Sequence, residues 1–260
     1  AMANDVQPGE NAEWAFVYCT MSVVNIKTLV VERRIPMARG GVLGLPEGAC
    51  FVPRILQKDA RTLRTYFASE APRKREAQTY YLDFDLEKLE FASELHTVQL
   101  KTAAGTFPMQ PGRYYEDAAR FGFDKERKDY GLYPIDGFKK FDGVTYAVLN
   151  NYPGAQNGWA RLNAELDTFE VLGHFNSLGA ERLTEAAVER MPDGSWMAIC
   201  RQDGGTGNYL FSTSWDGVTW STPRFREWVG TGANSKPVFV KFGGTYYLGW
   251  QESTRVDGVS

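Results

Sequence analysis

The chain has 260 residues, 43% apolar and 14% aromatic, enough to bury a sizeable core. Its 29 basic and 32 acidic residues give a formal net charge of −3 with no basic block, which argues against a nucleic-acid partner. No apolar run approaches the roughly 20 residues that span a bilayer, so no membrane partner is expected.

From the N-terminus, Ala1-Met2-Ala3 reads as a tag remnant ahead of a trimmed mature start. No signal peptide is present, yet a secreted or periplasmic protein is the expectation. Residues 14–31 can supply strands. From Phe51 onward one plan recurs: an apolar strand, a tight turn, then a strand rich in aromatic and β-branched residues. It runs from Phe51 through Asp59-Ala60 to Thr65-Tyr66-Phe67, and from Phe138 through Asp142-Gly143 to Tyr146-Ala147-Val148. It returns from Ala186 through Asp193-Gly194 to Trp196-Met197-Ala198-Ile199, and from Pro237 through Gly243-Gly244 to Tyr246-Tyr247-Leu248. Asp-Gly and Gly-Gly pairs supply the positive φ angles that two-residue hairpin loops need.

Gly143, Gly194 and Gly244 are spaced 51 and 50 residues apart. The step from Ala60 to Gly143 is 83 residues, so a long insertion is expected around 101–132. After each of the first three hairpins a further strand and polar turn end in an aromatic residue: Thr79 to Phe91, Gly158 to Phe169, and Asn208 to Trp220. A hairpin period near 50 residues is the size of a four-stranded propeller blade. The prediction is an all-β fold, a β-propeller of four-stranded antiparallel blades in one domain over 1–260. Five or six blades would complete it, and the last stops mid-blade near Ser260. An open ring leaves strand edges, so oligomers are possible. Ala180–Arg190 (AERLTEAAVER) is rich in helix formers, but its register with the other units predicts a strand for its second half.

Cys19, Cys50 and Cys200 form neither a disulfide framework nor a metal-ligand spacing. With His96 and His174 the only histidines, no metal and no cofactor is expected, and both read as packing or surface residues.

The innermost strand of a propeller blade lines the central channel, so ligands meet its ends. Counting forward from the turns gives one column, Glu70, Asn151, Arg201 and Glu252; counting backward gives another, Arg54, Asp136, Glu185 and Lys236. All eight are polar amid apolar flanks, which predicts a ligand-facing rim. Guanidinium forks grip a carboxylate, and carboxyl groups serve as general acid or base, so an acidic sugar in a glycan or polysaccharide suits this mix. Asp136 is the first candidate for the acid, with Asp117 the second, and Glu185 is the candidate base. Tyr152, beside Asn150-Asn151, is the best candidate for a sugar platform, whereas Trp159 and Tyr209 read as inter-blade packing.

Ser214-Trp215-Asp216-Gly217-Val218-Thr219-Trp220 resembles the Asp-box of sialidase-like propellers, a structural turn rather than a catalytic one. Glu185-Ala-Ala-Val-Glu189, Pro192-Asp-Gly-Ser and Ala198-Ile-Cys-Arg201 resemble the sialidase blade that carries a site glutamate and arginine. The resemblance implies that Glu185 partners a tyrosine nucleophile and that Arg201 belongs to a carboxylate-gripping triad. It places the third arginine and the tyrosine beyond Ser260. The family's early Arg-Ile-Pro motif has Arg34-Ile35-Pro36 as a poor analogue, with Pro53-Arg54 better placed on a strand. The expected activity is exo-acting hydrolysis of a terminal sugar. A polysaccharide lyase and a non-catalytic carbohydrate-binding propeller are the alternatives.

Overall fold

The computed structural model describes residues 2–6, 17–45, 48–69, 78–110, 112–114, 132–151, 156–175, 183–202, 207–229 and 235–251. They form a β-propeller whose sheets follow one another along the chain. The first sheet holds β1 (Met2–Val6), β2 (Val17–Val24) and β3 (Val31–Ala38). The second runs β4 (Cys50–Gln57), β5 (Thr62–Ser69), β6 (Gln78–Asp85) and β7 (Glu90–Phe91), with β8 (His96–Thr97) also on β6. A hairpin of β9 (Gln99–Thr102) and β10 (Gly105–Pro108) then joins the outer edge of the third sheet. That sheet's own strands are β11 (Leu132–Pro134), β12 (Lys139–Phe141), β13 (Val144–Asn151), β14 (Gln156–Leu162) and β15 (Thr168–His174). The fourth runs β16 (Leu183–Arg190), β17 (Trp196–Gln202), β18 (Tyr209–Ser214) and β19 (Arg224–Phe225); β20 (Val238–Phe242) and β21 (Thr245–Gly249) form the fifth.

β1 pairs antiparallel with β2, Met2 opposite Met21 and Val6 opposite Val17. One reading of the sequence needs correction. The turn after β16 is not a two-residue loop. Met191 N–H reaches Ser195 O at 2.8 Å, and only Gly194 has positive φ (86°). By contrast Asp142-Gly143 (49° and 79°) and Gly243-Gly244 (56° and 82°) have the double positive φ of a type I′ hairpin. The helix-rich stretch resolves as a strand over Leu183–Arg190. Both of its faces are covered: Ala186 and Val188 pack toward the third sheet, and Ala187 toward the fifth. Burial on two sides, not intrinsic propensity, decides it.

The turns that join β2 to β3, β6 to β7, β14 to β15 and β18 to β19, one in each of the first four sheets, share one device. Asn25, Asp85, Asn163 and Asp216 each accept two successive or near-successive backbone N–H groups of their own turn through the side chain. The amides of Thr219 and Val218 and the Ser214 hydroxyl hold the Asp216 carboxyl down at about 2. Trp159 joins the third and fourth sheets, stacked on Tyr146 (5.4 Å) and tilted against Trp196 (5.1 Å). Tyr209, 1% exposed, donates to Ser235 O.

Arg64 ties the second sheet to the third. It forks onto Asp83 (Nε–Oδ1 2.8 Å, Nη2–Oδ2 3.0 Å), reaches the carbonyls of Glu165 and Leu166, and lies 4.0 Å over the Tyr81 ring. Burial pushes the Asp83 carboxyl up, but hydrogen bonds from Arg64 and Lys58 outweigh it and its pKa is lowered. Arg64→Ala is expected to cost about 2 kcal/mol at neutral pH, less than a fully buried pair because Asp83 keeps Lys58 and some water. A lowered carboxylate pKa gives stability that is present above about pH 4 and lost as pH falls through the folded value. The melting-temperature gap between wild type and Arg64→Ala should therefore narrow below pH 4; a gap independent of pH would show that the carbonyl contacts, not the ion pair, carry the effect.

Candidate active site

The first strand of each of the second, third and fourth sheets is interrupted near the same level. In β4 the register shifts between Phe51 and Arg54, and Val52 has φ +53°. The third sheet breaks between Pro134 and Lys139, with Asp136 inside the gap. In β16 the register shifts between Thr184 and Ala187, and Glu185 has φ +45°. Left-handed backbone at a β-branched valine and at a glutamate is uncommon and needs outside support. These irregularities turn side chains from different blades toward one another.

Polar contacts link them. Arg54 donates to the carbonyl of Ile135 from Nε (3.0 Å) and Nη2, and to Pro53 O from Nη1 (2.8 Å). Asp136 Oδ1 accepts from Lys236 Nζ at 2.8 Å; Oδ2 accepts weakly from Val188 N–H at 3.4 Å, with Lys139 Nζ 3.9 Å away. Arg201 Nη1 donates to Glu185 Oε2 across the bulge. Asp136 and Arg201 are 8% and 7% exposed, so both ion pairs sit in a weakly screening environment. Burial lowers the Arg54 pKa, opposed by Asp136, Tyr133 and Glu185. Among the described residues the cluster brings Arg54, Arg201 and Lys236 together with Asp136 and Glu185, and Lys139 at its edge lies between Asp136 (3.9 Å) and Glu189 (3.1 Å). Among the described residues no carboxylate lies within ion-pair distance of Arg54.

The structure thus connects five of the residues singled out from the sequence: Arg54, Asp136, Glu185, Arg201 and Lys236. Arg34 is exposed on β3, so the early arginine of the cluster is Arg54. Asn151 lies on β13 opposite Leu132, and of its side chain nothing is described. Glu70, Asp117, Tyr152 and Glu252 lie outside the described residues. Trp250 follows β21 and is 38% exposed. His174 packs on Tyr114, which meets its Nδ1 at 3.1 Å, and His96 stacks on Tyr81.

Two residues, Asn150 and Asn157, were missed. Asn150, fully buried, accepts at Oδ1 from Thr184 Oγ1 and from Glu185 N–H, both at 2.9 Å, and donates to Tyr133 Oη at 3.3 Å. Asn157, also fully buried, accepts from Ala186 N–H at 3.2 Å. Strand parity was the available signal: Asn150 shares a face with Tyr146 and Val148. Among the described residues no group of three or more His, Cys, Asp or Glu is placed to hold a metal ion, and no helix is long and apolar enough to cross a membrane.

No family model and no curated protein matches the sequence. Solved structures that share the fold include a protein of unknown function from Dyadobacter fermentans, at 14% identity and TM-score 0.60, covering 91% of this chain and 65% of that one. An exo-β-1,3-galactanase from Clostridium thermocellum matches at 12% identity and TM-score 0.58, covering 95% of this chain and 50% of its own. A Trypanosoma rangeli sialidase matches at 10% identity and TM-score 0.57, covering 95% and 41%. The chain spans 41–65% of the length of these structures. At such identities the likeness is one of fold.

Proposed function

We propose that this propeller is a glycoside hydrolase that removes a terminal acidic sugar from a glycan or polysaccharide. The observation that carries the reading is the cluster's composition among the described residues: two ion pairs, Asp136–Lys236 and Glu185–Arg201, beside an Arg54 guanidinium whose hydrogen bonds go to backbone carbonyls. A sugar carboxylate arriving there meets one cation in excess. Taking Lys236 from Asp136 would free that carboxylate to take up a proton from water and pass it, as the acid, to the leaving oxygen, while Glu185 acts as base or as activator of a tyrosine nucleophile. The Ser214–Trp220 turn, with its Asp216 cap and the Trp220 indole donating to Gly217 O, supports the sialidase-like resemblance.

A second reading has one observation behind it: the Clostridium thermocellum neighbour is an exo-β-1,3-galactanase, so a neutral galactan is a substrate to test. Mass spectrometry of products from sialylated, uronate-rich and β-1,3-galactan substrates decides between them. The expected product is an acidic monosaccharide carrying one added water. A neutral monosaccharide would replace the acidic reading by the galactan one. An unsaturated sugar would mean elimination, and binding with no product would mean a lectin-like propeller.

A further inference from the structure

We infer that Asn150 and Asn157 form a clamp whose task is to hold Glu185 in its reactive position, an inference that rests on the hydrolase reading above. The bulge in β16 sets two residues, Glu185 and Ala186, opposite Cys200, because Thr184 pairs with Arg201 and Ala187 with Ile199. Their amides therefore fall outside the regular ladder of their own sheet. Both are taken by the preceding sheet instead: Glu185 N–H by Asn150 Oδ1 at 2.9 Å and Ala186 N–H by Asn157 Oδ1 at 3.2 Å.

The two asparagines lie directly opposite each other, Asn150 on β13 and Asn157 on β14, and both are fully buried. Thr184 Oγ1 adds a third contact to Asn150 Oδ1, and Tyr133 takes a hydrogen of its amide. A buried asparagine whose oxygen serves two donors has no rotational freedom left, so its partner's backbone is fixed with it. What it fixes is the left-handed turn at Glu185, a conformation a glutamate does not hold unaided. Val52 shows that a bulge of this kind recurs in the second sheet, where it presents a valine. In the fourth sheet the same irregularity presents a carboxylate to Arg201. Asn150 and Asn157 are positioning residues: they act through Glu185 and touch no substrate.

The test compares Asn150→Leu, of similar size but with no acceptor, with Asn150→Asp, which keeps one. Each is made alone and with Glu185→Gln, and kcat, KM, pH profile and melting temperature are measured on the best glycoside found for wild type. Asn150→Leu should lower kcat about a hundredfold, the loss expected when a reacting group is displaced by about 1 Å, with KM within twofold. Combined with Glu185→Gln it should lower kcat no further. Asn150→Asp should recover most of the loss, and the limb of the pH profile that belongs to Glu185 should move up, since a second carboxylate beside it disfavours its ionised form. Additive losses in the double variant, or wild-type kcat in folded Asn150→Leu, would overturn the clamp. Where Asn150→Leu gives no cooperative melt, the aspartate variant decides, and an unmoved limb overturns it. Absence of turnover by wild type sinks the hydrolase reading separately. The crystal structure of Asn150→Leu then tests the clamp: Glu185 leaving its positive φ upholds it, and an unchanged bulge refutes it.

Discussion

Glu185→Gln is expected to lower kcat about a thousandfold on the glycoside that wild type turns over, within the range that positioned acid–base groups contribute. Glutamine is nearly isosteric, its backbone amide still meets Asn150, and its side-chain oxygen can still accept from Arg201, so the fold should persist. The substitution does remove one negative charge from a cluster in which, among the described residues, cations outnumber carboxylates by one, raising that excess from one to two. An acidic sugar should then bind the variant more tightly, by several-fold at low salt, while a neutral galactan should bind unchanged. KM or product inhibition measured beside kcat thus tests the role and the substrate class together. A variant with wild-type turnover would move catalysis away from Glu185 altogether. Loss of turnover with weaker binding of acidic sugars would keep Glu185 and discard the acidic substrate.

The propeller was legible where the chain must adopt positive φ, because few residues allow it. Gly143, Gly194 and Gly244 mark the hairpins at nearly constant spacing, and that spacing carried the fold. The second family of turns was legible in one copy only. In the fourth sheet a serine, an aspartate and a glycine stand together. In the others the cap is Asn25, Asp85 or Asn163 with no glycine after it, and the left-handed residue is a leucine further on, Leu29, Leu89 or Leu166, at φ 57–59°. An asparagine or aspartate cap is equivalent in hydrogen bonding but not in spelling, and a left-handed leucine gives no warning.

The candidate site was legible to the extent that distance from a hairpin places a residue at a strand end. Counting from the turns led to Glu185 and Arg201, Asp136 and Lys236. It passed over Asn150, the neighbour of a selected residue, whose side chain holds Glu185. The bulges add a further shift. By register, Val52 rather than Arg54 corresponds to Glu185, and Arg54 enters the cluster by reaching across to Ile135 O. A bulge is a tertiary compromise between neighbouring sheets, so no local pattern announces it.

Gly173→Ala should be strongly destabilising, and it probes whether the third and fourth sheets act as one unit. Gly173 lies on β15 against the Asp216 turn. A Cβ there would stand 2.2 Å from Val218 O and 2.9 Å from Val218 C and Cα, all backbone atoms that cannot swing aside. That turn is fixed by Asp216 and by Trp220, which packs edge-on to Phe175 at 4.9 Å. Relief must therefore come from separating the two sheets. The expected cost is about 3 kcal/mol, or roughly 10 °C in melting temperature for a chain of this size. The same interface carries the Asn150 and Asn157 contacts to the Glu185 bulge, so turnover should fall below what partial unfolding at the assay temperature explains. Gly112→Ala, where a Cβ meets nothing within 4 Å, is the control and should leave the melt unchanged. If Gly173→Ala melts early yet keeps full kcat in its folded fraction, the seating of the Asp216 turn and the placement of Glu185 are independent. The site would then depend on β13 and β16 alone.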